Sequence, residues 1–316
     1  MGENTSPQST ALLFLHAQTS LHPGAGTALG TVDLPVQRER HTQWPVVPGS
    51  ALKGILRDRC REAVRAELGA DRRQANDDAE LTAVFGPGKA EESSTHAGAL
   101  SVTDARILAF PVRSAKGVFA WVTCPAVLGR LARDLSLVSH ESISVPQVRG
   151  DTNALVPGDS PLVLLPDNKL VLEEFEFSTS GPMPSDLADW IASHAIHAED
   201  AFTPARIRSH LIVLHDDWFT HFVRNATEVV ARIGLDYDTK TVKNGALFYQ
   251  EFLPPETLFY ALVLAHGSRR NGDVRTSHDI LKYVRERVPD GSVLQIGGDE
   301  TIGKGICSVR IVGQGR

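Results

Sequence analysis

The sequence predicts an α+β fold, one sheet domain carrying insertions. Two observations carry that expectation: the chain opens with a strand, helix, strand, strand pattern and closes with strand, helix, strand. Between them run short strands and helical stretches broken by Pro and Gly. The 316 residues, 42% hydrophobic and 22% charged, can bury a sizeable core. No repeat at solenoid periods divides them.

ALLFLHAQTS (11–20) is an apolar run of strand length that delivers the chain into a glycine-rich loop. Leu52, Ile55, Leu56, Cys60, Ala63, Val64 and Leu68 form one stripe of a helix over 51–68, with Ser50 as N-cap and Gly69 as the stop. Its other faces are basic, carrying Lys53, Arg57, Arg59, Arg61 and Arg65. GPGKAEESSTHAG (86–98) is polar and rich in breakers, hence a surface loop. Strands are expected over 99–112 and 118–124, a short helix from Pro125 to Leu135, and strands over 162–165 and 170–177. Helices follow over 185–198 and 205–223. VVARIGLDYDTKTVKNGALFYQEFL (229–253) reads as a hairpin arm with turns at Asp236–Asp238 and Asn244-Gly245. A strand over 257–266, a helix over 277–287 and the strands VLQIGG and ICSVRIV complete the chain.

The formal net charge is −6, which argues against general adhesion to nucleic acid but permits a local basic stripe. Cys60, Cys124 and Cys307 lie far apart without CxxC spacing, so no disulfide framework or thiolate zinc site is indicated. No apolar run nears the ~20 residues that span a bilayer, and MGENTSPQST lacks the regions of a signal peptide. A reducing cytoplasm is the expected compartment. Gly2 and Ser6 match a myristoylation pattern, but no polybasic second anchor follows.

Chemistry concentrates in His22–Lys53, HPGAGTALGTVDLPVQRERHTQWPVVPGSALK. Gly24, Gly26 and Gly30 offer no side chains to a core; their use is permissive backbone angles and close approach to a ligand. Asp33 follows among cations, with Glu39 the one competing acid of the stretch. Two readings stand: an Asx-turn residue before Pro35, or an acid at the centre of a backbone-lined site. Lys53 sits in a first helical turn, where free amides and the helix dipole favour a phosphate. Gly298 to Gly305, GDETIGKG, fits seven positions of a P-loop and fails at the eighth, where Gly305 replaces the Ser or Thr that would hold magnesium. That turn is either an anion-binding nest or a plain β-turn. The spacing Gly24, Gly26, Gly30 is one residue too long for a dinucleotide fingerprint. HExxH and GxSxG are absent, and His194, His197 and Asp200 fall where a helical pattern ends.

Taken together, the glycine-rich stretch, FGPG, AGALSVTDARILAFPVRSAKGVFAWVTCP, KNGALFYQEFLPPETLFYALV and IGGDETIGKG resemble one family. It is the RAMP superfamily, in particular the repeated, target-cleaving backbone subunit of the type III-B CRISPR effector, the Cmr complex. The matching words run in order through nearly the whole chain.

The resemblance implies a single RAMP domain over 1–316. An RRM-like, ferredoxin-type palm would occupy about 10–68, 99–124 and 257–312, helical fingers about 69–98 and 125–227, and a β-hairpin thumb about 228–256. It implies an antiviral-defence ribonucleoprotein in which copies of the chain stack head to tail along a CRISPR RNA beside other Cmr subunits. Complementary target RNA would be cut at regular intervals by a 2′-hydroxyl attack; the alternative is a non-catalytic RNA scaffold of the same complex. Carried over, the catalytic aspartate is Asp33, as base or as ligand of a divalent metal (Mg or Mn) recruited with RNA, with no organic cofactor. His22 is the loop histidine, a proton donor or a brace, and Tyr249 and Glu251 join the site from the thumb base. The family often has a second acid where this chain has Gln250. Gly49, Ser50, Lys53 and Arg57 match a guide-phosphate cradle, joined by Gly298, Gly303 and Lys304. Gly24, Gly26, Arg38, Arg40 and His41 are further RNA contacts.

Overall fold

A computed structural model describes residues 8–26, 32–88 and 95–313. The elements are β1 (Ser9–Ala17), β2 (Val46–Val47), α1 (Gly49–Leu68), α2 (Arg72–Asn76), α3 (Ala79–Phe85), β3 (Leu100–Val102), β4 (Ala105–Arg113), β5 (Phe119–Thr123), α4 (Pro125–Leu135), β6 (Asn153–Val156), β7 (Lys169–Leu172) and β8 (Phe175–Pro182). There follow α5 (Ser185–Ala195), α6 (Thr203–His210), β9 (Leu211–Leu214), α7 (Asp216–Asn225), β10 (Glu228–Leu235), β11 (Val242–Phe252), β12 (Leu258–Ala265), α8 (Ser277–Arg287), β13 (Ser292–Gln295), a 3-10 turn at Glu300–Ile302 and β14 (Ile306–Val312).

One mixed sheet of the described residues runs β13-β14-β1-β12-β4-β5-β9-β6-β8-β7, with β2 on β4 and β3 on β12. β1 lies inside it, antiparallel to β12 on one edge and β14 on the other. Side chains alternate along a strand. Ser9 therefore meets Ser277 of α8 on one face, and Phe14, five residues on, meets Trp190 of α5 on the other at 6.1 Å between ring centroids. Covered on both faces, β1 reads as continuous apolar sequence. β10 and β11 form a separate two-stranded hairpin. Val229, Ile233, Leu235 and Leu247 on it are exposed.

Four expectations need correction. Helix α1 begins at Gly49, with Pro48 in the cap position and Ser50 exposed in the first turn. The Gly49 amide donates to Asp104 Oδ1 at 2.7 Å, so the cap comes from the β3–β4 turn. The stretch 205–223 is two helices separated by β9, because Leu211–Leu214 is buried at every residue and pairs in parallel with β5; tertiary burial overrides the helical period. Residues 162–165 form no strand, contributing a single bridge from Leu164 to Lys169, and 170–177 divides into β7 and β8 around Glu173 at φ 51°. Finally, Asn244-Gly245 lies within β11: Gly245 has φ 73°, near a register shift between Ile233 and Leu235 on the facing strand. This is an irregularity of pairing within the strand and not a second turn.

Candidate active site

Three segments meet beyond the end of β1. The chain leaves β1 and bridges Leu21 to Leu253 after β11, then folds back so that Gly24 pairs with Val36. Residues 27–31, including Gly30, lie outside the described residues. On its return the segment lies along β11: Leu34 N donates to Tyr249 O at 3.0 Å and Glu251 N donates to Leu34 O at 3.0 Å. Asp33 is exposed at this seam, its Oδ2 accepting the Tyr249 amide at 2.7 Å. Among the described residues that is its one hydrogen bond, and it uses Oδ2. Tyr249 is 42% exposed, and its contribution to Asp33 is backbone, not phenol.

Glu251, two residues on, is buried and saturated. Its carboxylate accepts from Arg38 at 2.6 Å, from the Val36 amide at 3.0 Å and from Thr227 at 2.9 Å. Arg38 Nη1 donates to the carbonyls of Gln43 and Val223. Both side chains, expected at the reaction or on RNA, are thus turned inward as a clasp that fastens the Asp33 segment to the hairpin.

His22 is also buried, donating from Nδ1 to the Glu251 carbonyl at 2.7 Å and lying against Phe252, 5.5 Å between centroids. Glycines admit it. A Cβ at Gly24 would come within 2.9 Å of Nε2, and one at Gly297 within 2.2 Å of the His22 carbonyl. Gly298 donates its amide to that carbonyl at 3.0 Å. The C-terminal turn is therefore packed on His22, with Gly303 in the left-handed region at φ 76°. Lys304 lies over the other part of this cluster, its Nζ 5.0 Å from the Phe252 centroid. It forms no salt bridge among the described residues.

Sequence reasoning missed the partners of that turn. Asp299 accepts from Arg232 Nη1 at 2.6 Å and from Gln250 Nε2 at 2.6 Å, and Arg232 also donates to Gln250 Oε1. Burial would raise the Asp299 carboxyl, but the hydrogen bonds from Arg232 and Gln250 outweigh it and hold the pKa below the ordinary value. The one available signal was Gln250 itself, a departure from the acid the family often has there.

The α1 residues form a second group. Lys53 is half-buried; burial, then the charges of Arg57 and Arg269, push its pKa down. It has no ion pair among the described residues, and a cation under that pressure is suited to an incoming anion. Arg57 donates to the Gly86 carbonyl at 2.7 Å. Arg40 and Gly26 are exposed; His41 is exposed too, 3.8 Å from Glu39, whose stronger partner is Arg130 at 2.9 Å. Arg130 in turn stacks on Trp44 at 4.7 Å. No three His, Cys, Asp or Glu side chains converge to hold a metal among the described residues. No helix there is long and apolar enough to cross a membrane.

An exposed acid on a glycine-flanked loop, a projecting hairpin and an unpaired cation group coincide with a full-length family match. The RAMP superfamily matches residues 14–308, and the chain belongs to it. Within that superfamily its similarity is to the Cmr4 subunits. It is 37% identical over 305 residues to the CRISPR system Cmr endoribonuclease Cmr4 of Pyrococcus furiosus, covering 95% of each chain. The crystal structure of oligomeric Cmr4 from the same organism superposes with a TM-score of 0.70 at 30% identity, covering 98% of this chain and 100% of that one. A type III-B Cmr-beta structure bound to cognate target RNA shares the fold, with a TM-score of 0.67 at 22% identity over 96% of each chain.

Proposed function

We propose that this chain is a guide-RNA-dependent endoribonuclease of a type III-B CRISPR effector. It would act in the cytoplasm within an assembled complex and cut target RNA at Asp33. The observation that carries the reading is the contrast at the seam: Asp33 is exposed and, among the described residues, has a hydrogen bond to one carboxylate oxygen only, whereas Glu251 is buried and bonded through both. The relative's name, endoribonuclease, supports the reaction class. The order β14-β1-β12-β4, with helices following β1 and β12, supports an RRM-like palm. The hairpin serves as the thumb and the segments around α2–α3 and α4–α7 as fingers. The oligomeric relative supports self-association, and copies would stack head to tail, the heterologous contact that makes open filaments.

In the reaction the target's 2′-hydroxyl oxygen attacks its own 3′-phosphate, forming a 2′,3′-cyclic phosphate as the bond to the 5′-oxygen of the next nucleotide breaks. That oxygen takes a proton from water to leave as a 5′-hydroxyl. A stacked strand cannot reach the in-line arrangement, so the exposed apolar hairpin displaces a nucleotide and frees the backbone to rotate. Asp33 takes the 2′-hydroxyl proton through its other oxygen, or would hold a divalent ion there, while the Tyr249 amide fixes Oδ2. Magnesium is commonly held by one or two carboxylates together with substrate phosphates, and Asp33 would fit that pattern as a single carboxylate ligand, no three metal-binding side chains converging among the described residues. A bound ion would neutralise charge on the phosphoryl oxygens. His22 braces the loop from within, and Glu251 and Arg38 position it. Lys53, with Arg57 and Arg269, receives guide phosphates at the start of α1, and Lys304 adds a cation at the glycine turn.

One observation favours a pure scaffold: accepting the Tyr249 amide is by itself a structural task for Asp33. Cleavage of a guide-complementary RNA by the reconstituted complex separates the two readings, wild type beside Asp33→Ala, with and without chelator. Regularly spaced products that vanish in the variant while target stays bound are expected. Unchanged products would move the chemistry to another subunit.

A further inference from the structure

The hairpin stem is pinned on three sides, and one of those pins has no part in the reading above. Alternation along β11 sends Glu251 toward Arg38 and Gln250 to the opposite face. The edge between them carries Leu34 and Asp33. On the Gln250 face stands Asp299, from a turn 49 residues further along the chain.

Asp299 is built in at some cost. Its φ of 65° is left-handed, uncommon for a residue other than glycine, and such a conformation persists where its surroundings over-determine it. Those surroundings are visible: the turn's backbone is bonded to His22, and the carboxylate, 16% exposed, receives charge-assisted bonds from β10 and β11 at once. Arg232 donates to both Asp299 and Gln250, closing a three-membered ring of side chains. The hairpin stands outside the main sheet, with much of its apolar surface exposed. Its angle to the sheet therefore depends on its base. A tilt there would carry the Tyr249 amide, and with it Asp33, away from a nucleotide held elsewhere on the chain.

We infer that Asp299 is a positioning residue for the cut: through Arg232 and Gln250 it sets the hairpin stem, and so the backbone amide that orients Asp33. The inference rests on Asp33 being the reacting acid. Asp299 itself is spent on Arg232 and Gln250 and touches no substrate.

The test is single-turnover cleavage of guide-complementary RNA by the assembled complex, with target affinity and guide content measured on the same preparations. Asp299→Ala should cut ~10 to 100-fold more slowly, the loss that accompanies misplacement of about 1 Å, with target affinity and guide content unchanged. Asp299→Asn, which tolerates the left-handed backbone and keeps an acceptor, should recover most of the rate. Arg232→Met, which leaves the residues of the turn unchanged and removes the bond from the hairpin side, should match Asp299→Ala. Wild-type cutting by Asp299→Ala, or a loss that merely tracks missing guide or target binding, overturns the inference. An inert Asp33→Ala beside a fully active Asp299→Ala overturns it alone, whereas an active Asp33→Ala overturns the assignment of Asp33 as well.

Discussion

Asp33 and Glu251 meet at one seam, the first bonded to the Tyr249 amide of β11 and the second carried by β11 itself, and have opposite environments. Glu251 is buried, ion-paired and satisfied by three donors; Asp33 is exposed with a single backbone donor. A buried carboxylate with all its partners has nothing left to offer a substrate, and removing it leaves Arg38 unpaired in a site it cannot leave. The exposed carboxylate costs the fold little, and in the proposed reaction it is the one with an oxygen to offer. Proximity to the seam does not separate the two acids; hydrogen-bonding among the described residues does.

The largest effect that would sharpen this contrast is on stability. Glu251→Ala should destabilise the chain by about 3 kcal/mol, the usual consequence of breaking a buried ion pair by deleting one partner. Thermal unfolding should show a clear drop in Tm, against little change for Asp33→Ala. Equal melting temperatures for the two variants would break the comparison.

A smaller effect concerns the other cation group. Lys53→Ala should weaken guide binding uniformly across sequences and lower the salt slope by about one. Because burial and the charges of Arg57 and Arg269 depress its pKa, Lys53 is charged below the lowered value and loses its proton at a lower pH than a free lysine. Guide affinity should therefore fall as pH rises through that value. Lys53→Arg, which stays charged, should remove this alkaline fall. A pH profile identical in wild type and Lys53→Arg would show that Lys53 does not meet phosphate.

How much of this was legible in the sequence follows from the range of each contact. Local signals held: Pro125 opens α4, Gly69 ends α1 at φ 61°, and the 3.6-residue stripe marks α1. Leu211–Leu214 misled because a short buried apolar run has no period of its own, and its parallel pairing with β5 is made across 90 residues of chain. Glu251 misled for a similar reason: nothing near it announces Arg38, which reaches it from 213 residues away. Asp299 lay inside a turn whose glycines drew attention to phosphate, and its partners on the hairpin are likewise distant. Asp33 stood out as a candidate because its glycines, its cations and its family motif are all local. The exposure that sets it apart from Glu251 was not legible.

The smallest expected effect concerns Tyr249. Its position beside Asp33 and its family match suggest a reacting phenol, but the contact to Asp33 is through the main-chain amide, and the hydroxyl makes no hydrogen bond among the described residues. Phenylalanine preserves that amide and the ring face while removing the hydroxyl. Tyr249→Phe should therefore cleave guide-complementary RNA within about 3-fold of wild type, far short of the ~100-fold or greater loss that accompanies removal of a general acid or base. Single-turnover rates measured across pH would decide it. A large loss, or the disappearance of an alkaline limb from the profile, would give the phenol a proton to carry and would place a second reacting group beside Asp33 on a stem that otherwise serves to hold it.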